Sequence, residues 1–148
     1  MKIYLNVCCL CRPFDDQKSH RIRMETEAVT AILARCTNDW ILVGSEVIEY
    51  EIAAIIDNER MKNVQNLLKI SKEWIEINKD ISERAREYHS WGIDTFDSIH
   101  IACAEYAKAT FLTTDDILIK VIMKHRDKIT THIKNPVPWF MEVIENGD

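Results

Sequence analysis

The stretch "DSIHIACAEYAKATFLTTDD", residues 97–116, decides the fold. Its first half is apolar on nearly every side, the pattern of a helix buried inside a protein rather than lying on its surface. Thr110–Thr113 then reads as a short strand, and the acids at 115 and 116 fall where that strand gives way to another helix. A buried helix leading into a strand and out into a second helix is the repeating unit of an α/β protein with a parallel sheet.

Working outward, the same alternation continues in both directions. Short strands are expected at Lys2–Leu5, Trp40–Val43, Trp74–Ile77 and, less regularly patterned, 128–133. Helices are expected over 19–36, from Gly44-Ser45 to about Ile56, and over 58–71, 80–91, 94–107 and 115–125. Gly92 suits the residue just past a helix end, and Ser45 suits a cap. Residues 12–16 read as a polar loop. The tail "NPVPWFMEVIEN", residues 135–146, reads as a closing helix after its two prolines. No linker, repeat or low-complexity stretch divides the chain. The expectation is a single domain over 1–148, a three-layer α/β/α sandwich around a mainly parallel sheet of about four to five strands.

Composition narrows the class of function. A chain of 148 residues with 47% hydrophobic and 29% charged side chains can bury a full core without staples. The net charge of −5 argues against non-specific coating of nucleic acid, which wants a basic surface. It leaves room for a site that binds cations first and phosphates through them. The five cysteines, Cys8, Cys9, Cys11, Cys36 and Cys103, form an odd set, which suits free thiols in a reducing compartment. With no secretory pattern at the start and no apolar run of about 18 residues, the reading is cytoplasmic with no membrane association.

Position, not number, selects among the 24 acids. In "SEVIEYEIAAII", residues 45–56, Ile48, Glu51, Ile52 and Ile55 share a helical stripe, so Glu51 sits on the core-facing side. Glu46 and Glu49 point elsewhere and suit the positive first turn and a solvated face. An acid on an apolar stripe needs a partner, a cation or a proton, whether structural or functional. Asp97 opens the buried helix and shares its face with His100, Ile101 and Ala104. It is either a dipole-complementing acid or a polarised site carboxylate. His100 is most simply a satisfied core histidine, and its sharper role is to orient a carboxylate. Asp115 is an ordinary capping residue by local signal, but it follows a strand end. In a parallel sheet the strand C-terminal ends share one edge, where Asn6, closing "YLN", also falls.

Three acids and an amide aimed at one crevice repel one another unless a cation neutralises them. Hard oxygen ligands select Mg²⁺ or Mn²⁺. Such a cation can activate water and clamp phosphoryl oxygens, which points to phosphodiester hydrolysis.

These residues carry a resemblance. "IYLNVCCLCRPFDD", "SEVIEYEI" and "DSIHIACAEYAKATFLTTDD" resemble the corresponding segments of PIN domain nucleases, in particular the branch of VapC ribonucleases from toxin–antitoxin pairs. The resemblance spans nearly the whole chain. It implies a three-layer fold and a Mg²⁺- or Mn²⁺-dependent endoribonuclease leaving 5′-phosphate and 3′-hydroxyl ends. It implies Glu51, Asp97 and Asp115 as catalytic and metal-binding acids, Thr113 as a supporting hydroxyl, and Asp116 as a further ligand or a cap. It also implies RNA as substrate and an antitoxin protein as partner. One position departs: the family pattern has Asp where this chain has Asn6. An amide oxygen can still ligate a hard cation, but it carries no charge and its NH₂ cannot accept a hydrogen bond. The competing reading is therefore a PIN-fold relative with impaired chemistry that survives as a binding or regulatory protein.

Of the basic residues, Arg12 lies in the loop beside the crevice and is the expected phosphate contact. The "CCLC" run lacks the spacing and partner pair of a structural zinc site and reads as packing. The "VPWFMEVI" tail packs on the domain in the simplest reading, or else serves a homodimer or an antitoxin segment.

Overall fold

In the computed structural model, which describes residues 1–147, five parallel strands form one sheet. They are β1 (Lys2–Leu5), β2 (Ile41–Ser45), β3 (Glu73–Ile75), β4 (Thr110–Leu112) and β5 (Ile133–Lys134), in the order β3-β2-β1-β4-β5. The helices are α1 (Val7–Cys11), α2 (His20–Cys36), α3 (Glu46–Ala53), α4 (Asn58–Leu68), α5 (Lys79–Ser90), α6 (Thr95–Ala107), α7 (Asp116–Met123) and α8 (Pro136–Glu145).

The chain moves outward from β1 through β2 to β3, then returns to lay β4 on the other side of β1. With right-handed crossovers, the two directions put their helices on opposite faces. On one face α2 packs with α8, and on the other α5 packs with α6. The central strand is fully covered: Ile3, Tyr4 and Leu5 are buried, and their partners Phe111 and Leu112 likewise. That double coverage is why these strands read as unbroken apolar runs. The α6 helix is buried along Ser98, His100, Ile101, Ala102, Cys103 and Ala104, matching its all-round apolar pattern.

Several sequence boundaries shift for physical reasons. Gly44 and Ser45 end β2 instead of starting a helix, because Gly44 pairs with Trp74 and Ser45 with Ile75. A side chain at 44 would meet the Trp74 ring at 2.8 Å, so the close approach of β2 to that ring requires glycine. Ser45 then caps α3 by accepting from the Ile48 amide. α3 stops at Ala53, three residues early, and α4 stops at Leu68. Residues 12–16 are not a plain loop: α1 follows β1 at once, and a 3₁₀ turn, Arg12–Phe14, continues from it. β5 is only two residues long, and Arg126–Lys128 forms a 3₁₀ turn before it. The closing helix starts at Pro136, with both prolines in its first turn where a missing N–H costs nothing. Trp139 of that helix packs edge-on against Trp40, so the tail is part of the core.

Candidate active site

Because β1 leads out to one side of the sheet and β4 lies on the other, their C-terminal ends diverge and leave a crevice. A cavity of about 450 Å³ opens there, lined by Asn6, Cys8, Glu51, Asp97 and Asp115 and also by Arg12, Asp15 and Arg60. Five of the residues named from sequence, Asn6, Glu51, Asp97, Asp115 and Arg12, are therefore together on one cavity.

Asp97 is half-buried in the first turn of α6, and no described residue donates a hydrogen bond to it. Burial raises its carboxyl to about 6, against the pull of His100, and the charges of Asp115, Asp94 and Glu51 push the same way. Asp115 caps α7 with Oδ1, accepting from the Ile117 and Leu118 amides at 3.0 and 3.1 Å. Its Oδ2 has no hydrogen-bond donor among the described residues.

Glu51 is held from behind. Its Oε1 accepts from His100 Nε2, and His100 Nδ1 lies 2.7 Å from the Tyr4 hydroxyl, which lies 2.7 Å from Ser45 Oγ. Burial lifts the Tyr4 phenol well above its ordinary range, so it stays a neutral O–H that can donate to Nδ1. The ring then carries its hydrogen on Nε2, aimed at Glu51. His100 is fully buried, so this relay fixes a carboxylate whose other oxygen is left for the cavity.

Asn6 is 7% exposed and engaged at both ends. Oδ1 accepts from the Val7 amide at 2.8 Å, capping α1, and Nδ2 donates to Thr113 Oγ1 at 3.0 Å. Thr113 Oγ1 also accepts from the Asp115 amide. With two donors on its oxygen, its own hydrogen goes to the Cys8 sulfur, 3.5 Å away. The Cys8 thiol falls to about 6, through the Cys9 thiol first and then Thr113 and Thr114, against burial. Cys9 is buried, its sulfur 3.4 Å from the Leu112 carbonyl oxygen, so the "CCLC" run is split between core and cavity.

Two residues named from sequence behave differently. Asp116 does not line the cavity; it forms a two-point ion pair with Arg21, at 2.6 and 2.9 Å. Arg12 lines it, but its guanidinium is held by Asp15 and by Glu25, an acid only 1% exposed. Glu25 also takes Arg21 and Asn135. Arg60, Asp15, Tyr4 and Ser45 were not expected at the site. Each depends on a partner remote in sequence, and no local pattern marks them.

A sequence profile of the PIN domain family matches residues 21–122. This chain is a PIN domain protein. No curated protein matches it at the sequence level. The PIN fold is seen again in three solved structures. FitAcB from Neisseria gonorrhoeae is 16% identical, with a TM-score of 0.61, covering 92% of this chain and 98% of that one. VapBC2 from Rickettsia felis, bound to a DNA fragment from its promoter, is 15% identical with a TM-score of 0.58, covering 91% and 98%. A toxin–antitoxin complex from Klebsiella pneumoniae is 16% identical with a TM-score of 0.54, covering 76% and 86%. At these identities the PIN architecture is what is shared.

The oxygens left at the PIN cavity, both of Asp97 with one each of Glu51 and Asp115, are hard donors around a carboxyl that resists ionising alone. That chemistry fits a hard divalent cation. Among the described residues no group of three acids, histidines or cysteines is arranged to hold an ion directly. A hard cation there would have to draw its remaining ligands from water.

Proposed function

We propose that this protein is a Mg²⁺- or Mn²⁺-dependent endoribonuclease that hydrolyses RNA phosphodiester bonds and acts as the toxin of a toxin–antitoxin pair. The observation that carries the reading is Asp97: a half-buried carboxylate with no donor among the described residues, lining one cavity with Glu51 and Asp115, at the crevice of a PIN fold. The toxin assignment draws on the fold shared with a toxin–antitoxin complex and with VapBC2. An antitoxin partner and a homodimer belong to the same reading.

A bound cation would supply the positive charge that lets three carboxylates ionise together and draws a phosphoryl oxygen among them. The protein's own contribution is placement. Asp97 and Asp115 hold the cation side of the cleft, with Asp115 fixed as the cap of α7. Glu51, locked by His100 through Oε1, keeps Oε2 at the cavity as the acceptor for a proton of the attacking water. Thr113 sets the orientation of Asn6 and of the Asp115 backbone. Arg12, which lines the same cavity, offers a cation to a substrate phosphate.

A second reading has its own observation. Both ends of Asn6 are engaged in structure, and no charge stands where the family expects one. On that reading the protein binds RNA or a partner with little cleavage. Incubating structured RNA with Mn²⁺ and the native chain, Asn6→Asp and Asp97→Asn tests both. Cleavage by the native chain that Asp97→Asn abolishes supports the enzyme. Cleavage only by Asn6→Asp supports the impaired form, and no cleavage by any of the three overturns the nuclease reading.

A further inference from the structure

The candidate cavity is lined by two unlike sets of side chains: Asn6, Glu51, Asp97 and Asp115, and the linked trio Arg12, Asp15 and Arg60. In the second set the guanidiniums come from separate elements, Arg12 from the turn after α1 and Arg60 from the first turn of α4. They meet on a single carboxylate. Arg12 Nη1 donates to Asp15 Oδ2 at 2.8 Å, and Arg60 Nη2 donates to Asp15 Oδ1 at 2.5 Å.

One anion gripped at each oxygen by a different arginine has the geometry of a phosphodiester held at its two non-bridging oxygens. Both arginines are anchored independently of Asp15. Arg12 Nε is fixed by the buried Glu25, and Arg60 Nη1 donates to the Phe14 carbonyl at 3.0 Å. If Asp15 swung aside, the two forks would stay where they are. Room for exchange exists, since both side chains line the cavity and are partly exposed, Arg60 at 31% and Asp15 at 18%.

We propose that Arg12 and Arg60 form a clamp for an RNA backbone phosphate adjoining the one at the acids, and that Asp15 occupies this clamp in the free protein. The inference rests on the nuclease reading above and adds to it a positioning residue, Arg60, and a resident competitor, Asp15. Substrate binding then exchanges one anion for another at the same two guanidiniums. The two sets explain how an acidic protein orients a polyanion: acids with their cation take one phosphate, arginines the next.

The alternative is that the three side chains only staple the turn after α1 to α4. The test is binding of a phosphorothioate-linked single-stranded RNA oligomer, with Ca²⁺ present, followed by fluorescence anisotropy over a range of salt. Arg60→Gln is expected to bind roughly tenfold more weakly, as loss of a charged hydrogen bond implies. Its log–log salt slope should shrink by about 0.7, the share of one phosphate contact on a single strand. Asp15→Asn is expected to bind more tightly than the native chain, and that gain should vanish in the double variant with Arg60→Gln. An unchanged slope in Arg60→Gln, a weakened Asp15→Asn, or a gain that survives without Arg60 overturns the clamp. The Asp15→Asn arm decides alone if Arg60→Gln does not fold. Absence of salt-dependent RNA binding by the native chain is a different result, because it removes the nuclease reading itself.

Discussion

Asn6 Nδ2 donates to Thr113 Oγ1 across 3.0 Å, tying the end of β1 to the turn after β4. This bond runs in the opposite sense from the one a carboxylate would make. An aspartate at 6 would accept from the Thr113 hydroxyl, which now points at Cys8. Asn6→Asp should therefore turn that hydroxyl and add a negative charge at the cavity. A full charge a few ångströms from a cation is worth roughly tenfold or more in binding. Isothermal titration with Mn²⁺ should show that gain, with an increase in RNA cleavage beside it.

The Asp97 carboxyl, raised to about 6 by burial and by Asp115, Asp94 and Glu51, gives the site a pH dependence. Protons compete with a cation there, so Mn²⁺ affinity should climb as pH rises through about 6 and level off above. The same shift has a consequence for the metal-free fold. The folded carboxyl binds its proton more tightly than the unfolded one, whose ordinary value is 3.8. Its favourable contribution is complete below that value and is lost as pH rises through about 6. Asp97→Asn should raise the melting temperature of metal-free protein at neutral pH, and the gain should disappear near pH 3. A melting temperature that falls on this substitution at pH 7.5 would contradict the assignment.

Glu105 behaves in the reverse sense. It is drawn down to about 2, against burial, by Arg84, the Thr130 hydroxyl and amide, and the Tyr88 hydroxyl. It thereby joins α6 to α5 and to the segment before β5. This contribution is present above the ordinary 4.5 and fades as pH falls towards about 2. Glu105→Ala should cost about 1–3 kcal/mol at pH 7, from the loss of charged hydrogen bonds. Urea titrations at pH 7 and pH 3 should find a smaller difference at the lower pH.

Trp139 is 4% exposed and meets Trp40 edge-on at 5.6 Å, while Arg35 lies 4.2 Å from the centre of the Trp40 ring. Trp139→Ala should lower stability by about 3–5 kcal/mol, the range for truncating a buried aromatic. Chemical denaturation would show it. A near-neutral effect would mean that α8 serves a partner rather than the core.

The fold was legible because burial on both sides leaves its mark on sequence. The apolar runs of β1 and β4 and the all-round apolar α6 admit few other arrangements. The acids were legible where they broke a pattern: Glu51 sits on an apolar stripe, and Asp97 opens a helix with almost no wet side. Tyr4 was not, because in "KIYL" it looks like any core strand residue, and its hydroxyl matters only through His100, 96 positions away. Glu25 lies among charged neighbours on α2 and gives no hint that it is buried under two arginines and Asn135. Asp15 and Arg60 share that difficulty, since their meaning lies in a pairing across 45 residues. α1 was lost to its brevity: five residues carry too little period to be seen.

The order of the strands has a consequence for how the protein comes into being. β1 is made first, yet one of its two neighbours is β4, with Ile3 pairing to Thr110. A ribosome must deliver β4, which begins at Thr110, before the central strand can be flanked on both sides. Until then Asn6 lacks Thr113, and Asp97 and Glu51 lack Asp115. Chains that stop short of β4 thus hold only fragments of the site, and whatever chemistry it performs can begin only after Asp115 has been delivered.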